Sequence, residues 1–152
     1  MSGSFIDTSA VAKHYHLEPG SAEVDLLWND PGSSLFISRL GVVEAVSVFA
    51  GKVRTGELSS TAFAVVRKRF LSDVGNMRPK LVRILVKHFK NAESLLRKHG
   101  LARRLRTLDA LQLAVAMDLQ GRGMVDRLVS ADRQLLSVAV AEGIRVLDPE
   151  NP

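Results

Sequence analysis

The chain has 152 residues, a net charge of +5 and no cysteine. A hydrophobic content of 46% favours a folded protein over disorder, and the lack of cysteine excludes disulfides, thiolate metal sites and cysteine nucleophiles. No apolar run approaches the roughly 20 residues that span a bilayer, and residues 1–10 lack the features of a signal peptide. We therefore expect a single domain over residues 1–152, in the cytoplasm and without a membrane partner.

Taken in chain order, the hydrophobic pattern predicts short apolar strands that alternate with helices. The predicted strands cover residues 3–6, 34–38, 81–86, 127–130 and 144–147. The predicted helices cover residues 10–16, 22–28, 41–54, 60–74, 88–99, 108–119 and 132–141. Segment 81–86 is also compatible with a helix. This alternation predicts a mainly parallel sheet with helices on both faces, which is a three-layer α/β/α sandwich.

Positive charge is concentrated in the segment from Lys52 to Arg106, which we call the basic segment. It contains 15 Lys or Arg and 3 acidic residues, whereas the rest of the chain contains 6 basic and 13 acidic residues. Such a segment attracts a polyphosphate chain by charge alone, but it is equally compatible with solvated helix faces. It contains few aromatic residues, so it favours contact with a nucleic acid backbone over reading of the bases.

Four acidic residues stand at predicted strand ends or helix starts. Asp7 and Asp132 follow strands, and Glu44 and Asp109 lie near the beginning of helices. Each of them has a structural explanation when it is considered alone. A carboxylate after a strand can cap the next helix, and negative charge in a first turn suits the helix dipole.

Considered together, the acids predict a metal site. The carboxyl ends of parallel strands share one edge of the sheet, which should bring Asp7, Glu44 and Asp132 together. Asp109 is less constrained, because its helix does not directly follow a strand. Crowded carboxylates repel one another, and a hard cation relieves that repulsion. Mg²⁺ or Mn²⁺ prefers oxygen ligands, and two such ions can activate a water and stabilise the leaving oxygen in phosphodiester cleavage.

Two serines lie near these acids, Ser9 close to Asp7 and Ser130 close to Asp132. Each is two residues from its acid, so it could orient the carboxylate or serve as an ordinary helix cap. The four histidines are expected at the surface or at partner contacts.

Four segments resemble the acid-bearing motifs of PIN domains, and they occur in the order typical of that family. They are FIDTSA at 5–10, SRLGVVEA at 38–45, LRTLDALQLA at 105–114 and LVSADRQL at 128–135. The segment AEGIRV at 141–146 is similar to the closing turn and strand of the family. The resemblance thus extends over nearly the whole chain. It departs from the family at Ser130, where threonine is common, and at residues 77–86, which are unusually basic.

The resemblance implies an α/β/α sandwich and a metal-dependent endoribonuclease, similar to the VapC-like toxins of bacterial toxin–antitoxin pairs. It implies that Asp7, Glu44, Asp109 and Asp132 are catalytic and bind one or two Mg²⁺ or Mn²⁺ ions. It also implies RNA as substrate, a homodimer and a small antitoxin protein as partner.

Two alternatives to a nuclease also have features in common with this sequence. A non-catalytic PIN-like module would bind RNA or a protein, and its acids would only cap helices; this alternative stays open. A phospho-acceptor domain would need an Asp at the end of a central strand near mid-chain. The predicted strand 81–86 is followed by Lys87 instead, so the sequence disfavours that function.

Overall fold

A computed structural model describes residues 2–152, which form five strands and seven helices in the predicted order. The strands are β1 (Ser2–Ile6), β2 (Ser33–Ser38), β3 (Lys80–Val82), β4 (Arg127–Val129) and β5 (Arg145–Leu147). The helices are α1 (Thr8–Tyr15), α2 (Ser21–Asn29), α3 (Arg39–Arg54), α4 (Ser60–Gly75), α5 (Val86–His99), α6 (Thr107–Gly121) and α7 (Arg133–Ala141).

The five strands form one parallel sheet in the order β3-β2-β1-β4-β5. From β1 the chain builds outward through β2 to β3, and it then returns to the other side of β1 to form β4 and β5. The strand order therefore reverses between β1 and β4. In open parallel sheets, ligands bind beside the carboxyl ends of the strands at such a reversal.

The two faces of the sheet carry separate hydrophobic cores, because side chains alternate along each strand. On β1, Phe5 packs on one face with residues of α5, α6 and α7, and Ile6 packs on the other face with residues of α1 to α4. On β4, Leu128 and Val129 divide between the faces in the same way. These layers confirm the predicted α/β/α sandwich.

Strand β3 is shorter than the predicted strand 81–86. Within residues 2–152 it pairs only with β2, and its last paired residue, Val82, lies opposite Ser38 at the end of β2. Beyond that point the described part of the chain offers the backbone no strand to pair with. Helix α5 begins soon afterwards, where the N–H of Leu85 donates to Nδ1 of His88.

Two histidines of the basic segment are buried, so the expectation of surface histidines is wrong for them. His88 is 1% exposed and His99 is 5% exposed. His88 Nε2 lies 2.9 Å from Asp118 Oδ2, and His99 Nε2 lies 2.6 Å from Glu142 Oε1. A buried imidazole needs such a polar partner, and the carboxylates supply it.

Arg78, also in the basic segment, points into the protein. Its guanidinium donates to the backbone carbonyls of Leu27, Trp28, Asp30 and Ser33. These carbonyls lie at the end of α2 and the start of β2, where no helix or sheet partner would satisfy all of them. Arg78 therefore holds α2 to the sheet.

None of the helices within residues 2–152 is long and apolar enough to cross a membrane.

Candidate active site

Asp7 lies where the strand order reverses, directly after β1. It is 6% exposed, and its Oδ2 accepts hydrogen bonds of 2.9 Å from the hydroxyls of Ser9 and Ser130. The backbone N–H groups of Ala131 and Asp132 donate to these two hydroxyls at 3.0 Å. The loop after β4 therefore positions the serines, and the serines orient the Asp7 carboxylate.

Glu44 lies in the second turn of α3, because the helix begins at Arg39 rather than near Gly41 as predicted. Its Oε1 accepts a hydrogen bond of 2.9 Å from Nε2 of Gln112. Oε1 of Gln112 accepts in turn from the hydroxyl of Ser38, at 2.6 Å. The Ser38 hydroxyl also caps α3, so a continuous chain of hydrogen bonds connects the start of that helix to the carboxylate of Glu44.

Asp109 and Asp132 share a cation. Asp109 is 4% exposed in the first turn of α6. The Arg106 guanidinium donates to Asp109 Oδ2 from Nε at 2.9 Å, and its Nη2 lies 3.4 Å from Asp132 Oδ2. The other oxygen of Asp132, Oδ1, accepts from the backbone N–H groups of Gln134 and Leu135. Asp132 therefore has one oxygen in a helix cap and one facing the other acids.

Burial raises the pKa of the Asp7 carboxyl, and the hydrogen bonds from its two serine partners offset this only in part. Burial also raises the pKa of Glu44, which is half-buried. Asp109 adds to the rise at both groups, and Asp7 adds to it at Glu44. The negative charges of these acids therefore repel one another, and a bound cation would relieve that repulsion.

Helix capping does not explain all of the acids. The Asp7 side chain makes no capping hydrogen bond to α1, although it stands at the cap position. The effect of the helix dipole is largest in the first turn of a helix, and Glu44 lies beyond that turn of α3. Asp132 does cap α7. The structural explanation thus holds for Asp132 and fails for the Asp7 carboxylate.

All four predicted acids line one cavity of about 550 Å³ at the carboxyl edge of the sheet. This includes Asp109, which the sequence alone constrained least. The same cavity is lined by Lys13 and Lys52, and both of these lysines pair with Glu18. Lys13 is 4% exposed and also pairs with Glu150 at 2.6 Å. The cavity therefore has an acidic part and a part in which charges are already balanced.

The donor set of the acidic part fits a hard divalent cation. Its carboxylate oxygens are the ligands that Mg²⁺ and Mn²⁺ prefer. Thr8 also lines the cavity, and its buried hydroxyl oxygen has no hydrogen-bond partner among the described residues. In the present side-chain arrangement, however, no three Asp, Glu or His residues within 2–152 converge closely enough to hold a metal ion. The carboxylates are turned toward hydrogen-bond donors of the protein instead.

Two residues that contact the acids, Gln112 and Arg106, were not among the predicted site residues. Gln112 is a polar residue within the apolar stretch 110–116 of α6, and it is 1% exposed. A lone amide in a buried helical stretch needs a polar partner, and this pattern could have indicated its role. Arg106 stands three residues before Asp109, which is the spacing of a helical ion pair.

Part of the basic segment is paired within the protein. Lys87 pairs with Asp118 at 2.7 Å, and Lys98 pairs with Glu142 at 2.8 Å. Arg104, in contrast, is exposed and lines a smaller cavity beside the acids. The charge available to a polyanion is therefore smaller than the composition of the segment implies, but some of it lies next to the acidic cavity.

Comparison with protein-family models identifies the PIN domain over residues 4–141. The chain belongs to the PIN domain family. The match covers the whole range that contains the four acids, and it confirms the resemblance noted in the sequence. No curated protein matches the sequence of this PIN domain.

Several solved structures share the fold of this PIN domain. VapC20 of Mycobacterium tuberculosis, described as a sarcin–ricin loop cleaving toxin, has a TM-score of 0.66 at 18% identity, and the alignment covers 93% of this chain and 95% of that one. A toxin–antitoxin complex from Klebsiella pneumoniae has a TM-score of 0.61 at 14% identity, with coverages of 98% and 99%. VapBC2 of Rickettsia felis, bound to a promoter DNA fragment, has a TM-score of 0.63 at 14% identity, with coverages of 95% and 97%. At these identities the similarity establishes the fold.

Proposed function

We propose that this PIN domain is an endoribonuclease that requires Mg²⁺ or Mn²⁺ and acts as the toxin of a toxin–antitoxin pair, with residues 1–152 forming a single nuclease domain. The observation that carries the proposal is the meeting of four acids in one cavity, at the point where the strand order of a PIN fold reverses. The names of the structural relatives, which include a toxin that cleaves RNA, support the choice of substrate.

In this proposal Asp7, Glu44, Asp109 and Asp132 hold the metal, and Ser9 and Ser130 orient Asp7. A bound divalent ion would activate a water and neutralise charge on the scissile phosphate. The protein residues would keep the carboxylates ionised and aligned toward the ion, since a ligand that can turn away weakens binding. Helix N-termini at the cavity would also favour a phosphate group, because their free N–H groups and the positive end of the helix dipole attract anions.

We propose a small antitoxin protein as the partner of this chain. The Klebsiella pneumoniae and Rickettsia felis relatives are toxin–antitoxin complexes, and this supports the assignment. A homodimer is proposed on the resemblance to VapC-like toxins.

A non-catalytic PIN module is the second candidate, and two observations favour it. Asp132 caps a helix, and Arg106 occupies oxygens of both Asp109 and Asp132. In such a module the acids would serve the fold, and neither metal nor RNA cleavage would be involved. The two functions therefore differ in a reaction that can be measured directly.

The first test is cleavage of labelled structured RNAs, including a sarcin–ricin loop hairpin, by the purified antitoxin-free protein. We expect internal cleavage with Mg²⁺ or Mn²⁺, none with EDTA, and a decline as salt rises, because backbone contacts are screened. Circular dichroism of each sample establishes that the protein is folded. A folded protein that leaves a broad RNA panel intact with either metal would favour the non-catalytic module.

Gly41 offers a way to disturb Glu44 without changing any acid. A Cβ added at Gly41 would lie 2.8 Å from Cγ1 of Ile37 and 3.1 Å from Nε2 of Gln112. We expect Gly41→Ala to displace the Gln112 amide and to lower the cleavage rate by about 10-fold, the usual cost of losing a group that orients a ligand.

Gly51→Ala is the matched control, because it lies on the same helix and its Cβ would meet only the Arg54 side chain, at 3.4 Å. It should keep full activity and stabilise the helix by up to about 1 kcal/mol. Initial rates and thermal unfolding of both variants test the prediction. Equal activity in the two variants would show that the Gln112 contact does not position Glu44.

A further inference from the structure

Arg106 is the one residue that connects two of the acids through a positive charge within the described part of the cavity. Its Nε and Nη2 contact the two oxygens of Asp109 at 2.9 and 3.3 Å, and Nη2 also lies 3.4 Å from Asp132. The guanidinium thus occupies carboxylate oxygens that a metal would need. In this arrangement no three acidic side chains within residues 2–152 converge on one point.

The position of Arg106 permits it to move. It precedes the first residue of α6, its side chain is 67% exposed, and among the described residues its guanidinium donates to these carboxylates alone. Asp109 is buried, so the guanidinium can leave it at small cost only when another cation takes its place. Arg106 also lines a second cavity of about 250 Å³, together with Arg104, Gln134 and the same two acids, Asp109 and Asp132. The guanidinium can therefore turn toward Arg104 and Gln134 within this cavity and still remain beside the acids.

We infer that Arg106 is an exchangeable cation of the active site, which balances Asp109 and Asp132 while the metal is absent and binds an RNA phosphate next to the acids once the metal has entered. This inference rests on the proposed function. The planar guanidinium suits both tasks, because its fork of donors matches carboxylate and phosphate geometry alike. Arg104 supplies a second positive charge in the cavity into which Arg106 would turn.

The effect of Arg106 on metal binding can be measured in the absence of RNA. Arg106→Gln removes the competing cation, so we expect the variant to bind Mn²⁺ about fivefold more tightly than the wild type, because the ion no longer has to displace the guanidinium from Asp109. Isothermal titration of the RNA-free protein with Mn²⁺ measures the difference. Arg67→Gln, which removes an exposed charge on α4, should leave Mn²⁺ affinity unchanged.

The second readout is cleavage with saturating Mn²⁺. Arg106→Gln should raise the KM for RNA more than it lowers kcat, because the lost contact is to a phosphate beside the reacting one. Arg106→Lys keeps the charge without the planar fork, so it should recover part of the KM and have intermediate Mn²⁺ affinity. This variant also keeps the test valid if Arg106→Gln folds poorly.

The possible results separate this inference from the proposed function. Tighter Mn²⁺ binding together with a raised KM supports the exchange. If the wild type binds Mn²⁺ and Arg106→Gln binds it equally or more weakly, the exchange is wrong, but the proposed nuclease function is not affected. Arg106 would then be a structural partner of Asp109. Failure of the folded wild type and all variants to bind Mn²⁺ overturns both.

Discussion

Asp7→Asn is expected to lower RNA cleavage by on the order of 100-fold or more without lowering the stability of the fold. Losing even an outer partner of a metal ligand costs about 10- to 100-fold, and Asp7 is proposed as a ligand itself. The substituted amide keeps a carbonyl oxygen that can accept the hydrogen bonds of Ser9 and Ser130. The variant therefore removes the negative charge and preserves the local structure.

The difference in stability between Asp7→Asn and the wild type should depend on pH, because only the wild type has a titratable group at this position. Burial raises the pKa of Asp7 above its ordinary value of 3.8. An acid with a raised pKa in the folded state favours folding only when it is protonated, so its contribution is lost as pH rises from the unfolded pKa through the folded one. Above the folded pKa the wild type contains a buried charge that the variant lacks, and below it both side chains are neutral.

Thermal unfolding at a series of pH values tests this. The unfolding midpoint of Asp7→Asn should exceed that of the wild type at pH values above the folded pKa of Asp7, and the difference should vanish as pH falls toward 3.8. Asp25→Asn, which changes a half-buried acid outside the cavity, is the control and should keep full activity. Undiminished cleavage by folded Asp7→Asn would refute the assigned role of Asp7, and a large loss of stability would make its inactivity uninformative.

Arg78→Met is expected to destabilise the fold by about 2–4 kcal/mol. The substitution removes a charged donor from four backbone carbonyls at the junction of α2 and β2, and hydrogen bonds of charged groups contribute about 1.5–3 kcal/mol each. Methionine keeps much of the side-chain volume, so the loss would reflect the unsatisfied carbonyls rather than an empty space. Chemical denaturation at pH 7 measures the difference.

Arg67→Met is the matched control for Arg78→Met. Arg67 belongs to the same basic segment but is exposed on α4, where a substitution should change stability by no more than about 0.5 kcal/mol. If the two variants have the same denaturation midpoint, the hydrogen bonds of Arg78 to the backbone carbonyls do not stabilise the fold. A clear difference would show that one cation of the segment serves the fold and is unavailable to RNA.

The order and type of the helices and strands could be predicted from the sequence, because their signals are local. Alternating apolar residues, glycines at helix ends and helical periodicity depend only on neighbours along the chain. The same reasoning indicated that Asp7, Glu44 and Asp132 share one edge, since parallel strands place their carboxyl ends together. Strand β3 was the exception, because its length depends on where its partner β2 ends.

The contacts that orient the acids could not be predicted in this way. Gln112 lies 68 positions from Glu44, and Ser130 lies 123 positions from Asp7. Arg106 contacts Asp132 across 26 positions. Such pairs depend on how helices pack against the sheet, and no spacing in the sequence specifies them.

By itself, the sequence determined the PIN family, the α/β/α sandwich and the four acids proposed for catalysis, because these follow from motifs and from the geometry of parallel sheets. The tertiary structure alone decided that Gln112 holds Glu44 and that Arg106 stands between two carboxylates. The physical reason is that α6 reaches the cavity through packing on one face of the sheet. That packing is a property of the whole core rather than of any segment.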